Sequence, residues 1–437
     1  MNGQRVNQAI VAASIEGPYI TALLGPRRVG KTYFVENYAK QHPDRKWVFF
    51  NMDQLAQRQQ VKAQLLETLI RETSKQHIGV GQKLWVVIDE AQKCPELFDQ
   101  IKTIYDTYKA QNAIKFIITG SAVLSLHQLS AESLAGRIEL HHVQTFNLRE
   151  SAALLGHAVS LDSILDLLPT IETTDTLSDY IHSLSPFKPD LEQVLKEQLL
   201  WGGFPELLLT QTVQEKISYL NNYLQTYLEK DIRALETISD LNLYRNLLDI
   251  LAEQTGSVRD DQRIVAALGC TRDTLKKYRG YVEATLLFTE IYPYIGSSLK
   301  RLVKSPKGYL LSNGLMSLLT GLMDLTILEK TGLIGHRLEN WFLNELQVWI
   351  ARSPLRQSIH YWRTISGVEV DFVVVRKPHV FPFEITYSVD VVPRKVRNLQ
   401  AFLENEPKAR FGYYIYRGNF KVDLEKRIIF IPCWVIT

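Results

Sequence analysis

Apolar residues in the first third of the chain form short continuous runs, and each run ends in small or polar residues. Runs at 19–25, 83–92 and 114–122 predict buried strands, and the segment 31–40 predicts a helix. A further strand is expected directly after Arg137. Apolar strands that alternate with helices are typical of an α/β unit with a parallel sheet.

The pattern changes after residue 146. Leucines spaced by three and four residues predict mostly helices over 147–238. Three helices and two β-like segments then follow within 241–310. A prolonged apolar stretch at 310–328 predicts a buried helix, because its polar residues argue against a membrane span.

The C-terminal third has the order helix, strand, strand, strand, helix. We expect the helices at 335–350 and 393–405, and the strands at 358–364, 368–376 and 380–388.

The chain has 437 residues, which predicts two to four domains. We expect an α/β core at 1–146, a helical lid with an insertion (158–190) at 147–238, a winged helix-turn-helix at 239–310 and an α/β domain at 311–437. A fraction of 46% hydrophobic and 22% charged residues is typical of a globular protein.

The loop GPRRVGKT, residues 25–32, has the spacing of a phosphate-binding loop between a strand and a helix. Glycines let backbone N–H groups surround phosphate oxygens, and Lys31 can reach the β- and γ-phosphates. Thr32 offers a hydroxyl to Mg²⁺. We therefore predict an ATP site with Mg²⁺. Its predicted nucleotide-binding residues are Gly25, Pro26, Arg27, Arg28, Val29, Gly30, Lys31, Thr32 and Tyr33.

Polar side chains follow the later strands of the same unit. Asp89 is predicted to hold Mg²⁺ through water, and Glu90 to orient or deprotonate the attacking water. Thr119 and Ser121 end the next strand, where a hydroxyl could sense the γ-phosphate or hold that water. Arg137 fits two interpretations equally, a finger that completes a neighbouring subunit's site or a structural ion pair.

Four motifs in the order GPRRVGKT, VVIDEAQ, ITGSA and SLAGR resemble a prokaryotic AAA+/STAND-like P-loop ATPase family. Its members carry an N-terminal ATPase and a C-terminal domain of formerly unknown function, and WGGFPE (201–206) and YLEKDI (227–232) agree with it. The resemblance implies that Gly203 and Pro205 of the lid lie beside the adenine.

Three helices followed by a hairpin give the order of a winged helix-turn-helix in 239–310. Its basic residues could neutralise the phosphates of double-stranded DNA. A protein-contact or autoinhibitory module is the alternative. The basic residues are Arg272, Lys276, Lys277 and Arg279 on the third helix, and Lys300, Arg301, Lys304 and Lys307 on the wing.

The C-terminal element order resembles the restriction-endonuclease-like (PD-(D/E)XK) core. By that resemblance, Glu339, Asp371 and Glu384 would bind Mg²⁺ if the site were an active nuclease. The position two residues after Glu384 holds Thr386 instead of the expected lysine, and Lys395 on the next helix is a possible substitute. The domain is therefore either a degenerate fold kept for binding or assembly, or a weak metal-dependent nuclease.

The composition of the chain gives little further information about its partners, its metal sites or its cellular setting. A net charge of +3 places any DNA contact on local basic patches. The cysteines Cys94, Cys270 and Cys433 lack the spacing of a disulfide framework or a zinc site, which favours a reducing, cytoplasmic setting, and the N-terminus lacks the pattern of a signal peptide.

Three functions are consistent with these observations. The first is an Mg²⁺-dependent ATPase switch that acts on DNA. The second is a nucleotide-gated switch that forms homo-oligomers or captures a protein, and the third is an active nuclease. None of them involves a membrane.

Overall fold

The computed structural model describes residues 5–121, 133–170, 175–227, 240–295, 305–353, 355 and 357–436. The chain divides into two compact units. The N-terminal unit contains residues 7–144 together with 284–286. The C-terminal unit contains residues 1–6, 145–283 and 287–437.

A parallel five-stranded sheet forms the centre of the N-terminal unit. Its strands are β1 (Ile20–Leu24), β2 (Lys46–Asn51), β3 (Leu84–Asp89), β4 (Ile114–Gly120) and β5 (Ile138–His142), in the order β2-β3-β4-β1-β5. Every residue of β1, β3 and β4 is buried, because these strands lie inside the sheet and are covered on both faces. This explains why their sequences are continuous apolar runs instead of alternating ones.

Within the described ranges, the α-helices that accompany this sheet are α1 (Gln8–Glu16), α2 (Lys31–Gln41), α3 (Leu55–Ala63), α4 (Leu66–Ser74) and α5 (Leu97–Tyr108). One face of the sheet packs its apolar side chains against α3, α4 and α5. The opposite face carries α1 and α2, whose buried residues include Val11 and Val35. The parallel sheet and its first strand–loop–helix connection agree with the predicted P-loop fold.

The first part of the C-terminal unit is helical. Its helices are α6 (Leu148–Leu154), α7 (Ile164–Leu167), α8 (Asp175–Leu184), α9 (Lys188–Trp201), α10 (Pro205–Leu209), α11 (Val213–Tyr227), α12 (Leu241–Glu253), α13 (Asp261–Leu268) and α14 (Arg272–Ala284). The predicted insertion, 158–190, thus contributes α7 and α8, whose apolar residues join the main core of this unit.

An eight-stranded sheet forms the rest of the unit. Its strands are β6 (Phe288–Pro293), β7 (Lys307–Leu310), β8 (Ser358–Arg363), β9 (Glu369–Arg376), β10 (His379–Ile385), β11 (Gly412–Tyr416), β12 (Lys421–Asp423) and β13 (Ile428–Pro432). Their order is β12-β13-β11-β10-β9-β8-β6-β7. The accompanying helices are α15 (Asn313–Thr320), α16 (Leu325–Lys330), α17 (Ile334–Ala351) and α18 (Pro393–Asn405).

Two features of this sheet differ from the expected layout. The strands expected to form a separate wing, β6 and β7, belong to the large sheet because β6 pairs with β8 in parallel. The predicted boundary at residue 310 therefore falls inside one sheet. The stretch 310–328 contains a buried helix, as predicted, but α15 is shorter than the stretch, because Gly321 ends α15 in a left-handed conformation (φ +70°) and Asp324 caps the start of α16.

Candidate functional site

The loop 25–32 joins β1 to α2 in the N-terminal unit. A Cβ atom on Gly25 would lie 2.0 Å from the carbonyl oxygen of Val143, so no other residue fits there. Gly30 has φ +92° and precedes the first turn of α2. The loop therefore leads directly into the N-terminus of α2, and the N-terminus of a helix is suited to binding a phosphate.

Lys31 lies across this loop with its side chain buried. Its Nζ atom donates hydrogen bonds of 2.8 Å to the carbonyl oxygen of Gly25 and 2.7 Å to that of Pro26. The same ammonium group can exchange these acceptors for phosphate oxygens. Of the other predicted loop residues, Val29 is buried, and Arg28 and Tyr33 are exposed.

Thr32 and Asp89 meet at the start of α2 and the end of β3. The hydroxyl of Thr32 donates a 2.9 Å hydrogen bond to Oδ1 of Asp89, and Thr119 at the end of β4 also donates to that oxygen. Hydroxyl and carboxylate oxygens are the ligands that Mg²⁺ prefers. Thr32 and Asp89 therefore fit a nucleotide-bound Mg²⁺, and Thr119 orients Asp89.

Glu90 follows Asp89 in a left-handed backbone conformation, with φ +53° and ψ 42°. Its N–H group donates to Oγ1 of Thr119 at 3.2 Å. Its Oε2 atom accepts 2.7 Å hydrogen bonds from Oγ of Ser121 and from Nε2 of Gln92. The structure thus brings all four predicted acids and hydroxyls, Asp89, Glu90, Thr119 and Ser121, to one edge of the sheet.

A cavity of about 380 Å³ opens beside Thr32, Asp89 and Thr119, between α2 and the end of β2. Val87 and Phe49 contribute apolar surface to it. Water can therefore reach the corner where Thr32 and Asp89 meet.

Arg137 forms a fork-like pair with Asp106 on α5. Its Nε atom lies 3.0 Å from Oδ1 and its Nη2 atom 2.7 Å from Oδ2 of Asp106. Hydrogen bonds from Arg137, and then from Lys109, lower the pKa of Asp106 to about 2. This contact supports the structural interpretation of Arg137, and the arginine-finger interpretation stays a prediction.

Gly203 and Pro205 lie in the C-terminal unit, where α9 turns into α10. A Cβ atom on Gly203 would lie 2.1 Å from the carbonyl oxygen of Phe146, and Pro205 is the first residue of α10. Both positions thus have a local backbone reason for their residue type. Contact with the adenine stays a prediction.

A second cluster of charged side chains lies in the C-terminal unit, at the ends of β9 and β10. Nζ of Lys395 lies 2.7 Å from Oδ2 of Asp371 and 2.6 Å from Oε2 of Glu384. Asn398 donates a 3.0 Å hydrogen bond to the other oxygen of Glu384, and the N–H group of Ile385 donates to Asp371 at 2.8 Å. Lys395 thus supplies the positive charge that Thr386 cannot.

Glu339, on α17, has different partners. Its Oε1 atom accepts a 2.6 Å hydrogen bond from the hydroxyl of Tyr309 and lies 3.3 Å from Nζ of Lys307. Lys307 also pairs with Glu369 at 2.5 Å. The expectation that Lys307 contacts DNA is wrong, because its side chain is buried among these carboxylates at the start of β7.

Within the ranges that the structure describes, no three acidic, histidine or cysteine side chains are grouped so that they could hold a metal ion. Lys307 lies beside Glu339, and Lys395 lies between Asp371 and Glu384. Binding of Mg²⁺ by Glu339, Asp371 and Glu384 stays a prediction.

The third helix of the predicted winged helix, α14, exposes only part of its basic set. Arg272, Lys276 and Lys277 are exposed. Arg279 instead pairs with Asp261 at 3.0 Å and with Glu290 at 3.3 Å. The predicted wing residues Lys300, Arg301 and Lys304 lie outside the described residues.

Sequence reasoning missed four residues that complete these clusters: Gln92, Asp106, Tyr309 and Asn398. The sequence could have indicated Gln92, because it lies two residues after Glu90 in the same motif, VVIDEAQ. The other three hydrogen-bond partners lie on separate elements, so only the folded chain reveals them.

The parallel sheet, the loop around the start of α2 and the Thr32–Asp89 contact are typical of a P-loop NTPase fold. Comparison with family models agrees: residues 18–152 match an AAA domain. Residues 192–326 match a domain of unknown function (DUF8612), and residues 334–436 match another (DUF4143). Residues 18–152 are therefore similar to AAA domains, and the other two matched regions are similar to families with no assigned function.

Among curated proteins, an uncharacterized protein of Mycobacterium tuberculosis is 25% identical over 347 residues, which cover 79% of this chain and 68% of that protein. An uncharacterized protein of Mycobacterium bovis gives the same values.

Among solved structures, the ADP form of the ORC2 protein from Aeropyrum pernix aligns with a TM-score of 0.34 and 13% identity, covering 74% of this chain and 95% of that chain. AMPPCP-bound DnaA from Aquifex aeolicus gives 0.27 and 13%, covering 65% and 88%. TM-scores of this size do not establish a common fold over the aligned length.

None of the helices in the described ranges has the length and apolar character to span a membrane.

Proposed function

We propose that this protein binds ATP with Mg²⁺, hydrolyses it, and uses the cycle as a conformational switch. The observation that carries the proposal is the 2.9 Å hydrogen bond between Thr32 and Asp89, which joins the phosphate-binding loop to the acidic end of β3. Thr32 and Asp89 would hold Mg²⁺, which would supply charge neutralisation on the phosphates.

Other residues of the chain would bind the phosphates, accept the proton and orient the side chains. Lys31 and the N–H groups at the start of α2 bind phosphate oxygens. Glu90 accepts a proton from the attacking water, and Thr119 holds Asp89 in place. ATP binding therefore needs the loop, whereas turnover additionally needs the carboxylate of Glu90.

A DNA-handling role is the second part of the proposal. It is supported by the exposed basic residues Arg272, Lys276 and Lys277 on α14. A protein-interaction or oligomerisation switch is the alternative, and it predicts that nucleotide changes the assembly state and that DNA has no effect.

The experiment is ATP turnover by the purified full chain in Mg²⁺, with and without duplex DNA, with the DNA run on a gel from the same tubes. The Lys31→Ala variant is the control for contaminating ATPases. Turnover that depends on Lys31 supports the ATPase, and stimulation by DNA supports the DNA role. Turnover equal in wild type and Lys31→Ala would refute the site, and intact DNA would remove the nuclease alternative.

A further inference from the structure

Gln92 contacts the carboxylate that the proposed hydrolysis requires. It lies in the short 3-10 helix Ala91–Lys93, directly after Glu90. Its Nε2 atom donates a 2.7 Å hydrogen bond to Oε2 of Glu90 and lies 3.3 Å from Oγ of Ser121. Ser121 itself donates to the same Oε2 atom at 2.7 Å. Gln92, Ser121 and Glu90 therefore form a closed triangle of hydrogen bonds.

The backbone conformation of Glu90 makes this triangle possible. A non-glycine residue with φ +53° is uncommon and costs free energy, and such residues concentrate at functional sites. The left-handed turn ends β3 and starts the 3-10 helix, so that the side chain of Gln92 returns toward that of Glu90. The strained turn thus places an amide donor beside the carboxylate.

The two oxygens of Glu90 have different surroundings. Oε2 accepts two hydrogen bonds, whereas Oε1 accepts none from any residue in the described ranges. A carboxylate anchored through one oxygen has a fixed plane, and its other oxygen is left to accept a proton from water. Glu90 is buried, so this orientation is maintained by protein contacts more than by solvent.

The amide of Gln92 has only one orientation compatible with these partners. Nε2 faces a carboxyl oxygen of Glu90 and the hydroxyl oxygen of Ser121, and both can accept its protons. A flipped amide would place a carbonyl oxygen against the carboxylate, which is repulsive. Gln92 is therefore a donor at this position.

We propose that Gln92, together with Ser121, is a positioning residue that orients Glu90 for attack by water on the γ-phosphate. This inference rests on the proposed ATPase function. It does not place Gln92 on the nucleotide, so it predicts a loss of turnover without a loss of ATP binding.

The test compares steady-state ATP turnover and equilibrium ATP affinity in full-length variants. Gln92→Met keeps the length of the side chain and removes the donor. We expect kcat to fall on the order of 10- to 100-fold, because a misplaced catalytic group costs about this much. KM and the Kd for ATP should stay within about twofold of wild type, because neither contact involves bound phosphate.

Two further variants separate positioning from a general loss of folding. Ser121→Ala removes the other donor and should lower kcat in the same way, which keeps the test valid if Gln92→Met folds poorly. Gln76→Met is the matched control, because Gln76 also uses its amide in hydrogen bonds, to Gln82 and Lys46. It should leave kcat unchanged.

A double mutant completes the test. If Gln92 acts through Glu90, Gln92→Met should add no further loss in a Glu90→Gln background. Unchanged kcat in both Gln92→Met and Ser121→Ala, with kcat strongly lowered but measurable in Glu90→Gln, would overturn this inference and leave the ATPase intact. Absence of Mg²⁺-ATP turnover in the wild type would overturn the proposed function and, with it, the role of Gln92.

Discussion

The ammonium nitrogen of Lys395 lies 2.6 Å from Oε2 of Glu384, although the two residues lie on different elements, α18 and β10. The same nitrogen lies 2.7 Å from Asp371. One lysine thus serves two carboxyl groups that cannot both be ionised at low cost. Burial and then Asp371 raise the pKa of Glu384 well above its usual range. Burial alone would also raise the pKa of Asp371, but Lys395 and Lys307 outweigh it and hold the pKa at about 2.

The two carboxyl groups should therefore respond differently to neutral substitution. Glu384→Gln resembles the protonated side chain and should not destabilise the protein at pH 7. Asp371→Asn removes the ionised partner of Lys395 and should destabilise the C-terminal unit by on the order of 2 kcal/mol. Thermal unfolding of both variants at pH 7 measures the difference, and equal effects would contradict the assignment of charges.

The pH dependence of the protein's stability gives an independent check of the charges on Glu384 and Asp371. A raised pKa of Glu384 in the folded state contributes stability below its ordinary value of 4.5, which is lost as pH rises toward the folded pKa. Glu384→Gln cannot lose this contribution, so it should gain stability relative to wild type between pH 5 and pH 8. For Asp371, the lowered pKa predicts a contribution that is lost between about pH 4 and pH 2. A pH-independent difference for Glu384→Gln would contradict the raised pKa.

Lys307 should be essential for the stability of the C-terminal unit. Burial by itself would lower its pKa, but Glu339, Asp371 and Glu369 outweigh burial and raise the pKa above its usual range. Lys307→Met would leave these carboxylates without their buried counter-ion, which typically costs about 3–5 kcal/mol. Chemical denaturation measures the loss.

Two variants control that measurement. Lys330→Met removes an exposed lysine and should have little effect. Adding Glu339→Gln to Lys307→Met should restore part of the stability, because it removes one of the unpaired charges. Independent, additive losses in the double variant would show that the two residues do not act as a pair.

Thr32 should control how ATP turnover depends on Mg²⁺. Thr32→Val keeps the shape of the side chain and removes the hydroxyl that bonds Asp89. We expect the Mg²⁺ concentration needed for half-maximal turnover to rise about 10- to 100-fold. Thr32→Ser retains the hydroxyl and should behave as wild type. A normal Mg²⁺ requirement in Thr32→Val would remove Thr32 from the metal site.

The basic residues of α14 should separate into one set for binding and one for stability. Changing Lys276 and Lys277 together to Glu should weaken duplex DNA binding and reduce its salt dependence, because both are exposed. Arg279→Met should instead lower the unfolding temperature, because Arg279 pairs with Asp261 and Glu290. Fluorescence anisotropy over a salt series and thermal unfolding distinguish the two. DNA affinity unchanged by the double charge reversal would exclude α14 as the contact.

Gly25 should tolerate no side chain. Gly25→Ala would place a Cβ atom 2.0 Å from a backbone oxygen of Val143, so the loop must move and ATP affinity should be lost. Gly280→Ala is the matched control, because its Cβ would meet nothing within 4 Å in α14. That variant should gain roughly 1 kcal/mol of stability from better helix propensity. ATP binding by Gly25→Ala with wild-type affinity would contradict the loop geometry.

The amino-acid sequence by itself determined the elements and the chemistry of the N-terminal unit. Continuous apolar runs predicted β1, β3 and β4, and the spacing of Gly25, Gly30 and Lys31 predicted the phosphate-binding loop. These features are local, because hydrophobic period and loop spacing are properties of neighbouring residues. The helix and strand order of the C-terminal third was predictable for the same reason.

Only the tertiary structure decided which distant side chains meet. Thr32 contacts Asp89 across 57 residues because α2 starts where β3 ends, and this depends on the strand order of the sheet. Lys307 was predicted to lie on the surface, but it is buried next to Glu339 and Glu369. The reason is that β6 and β7 belong to the large sheet. Whether a charged residue is exposed or paired depends on which elements pack around it, and the local pattern of residues does not contain that information.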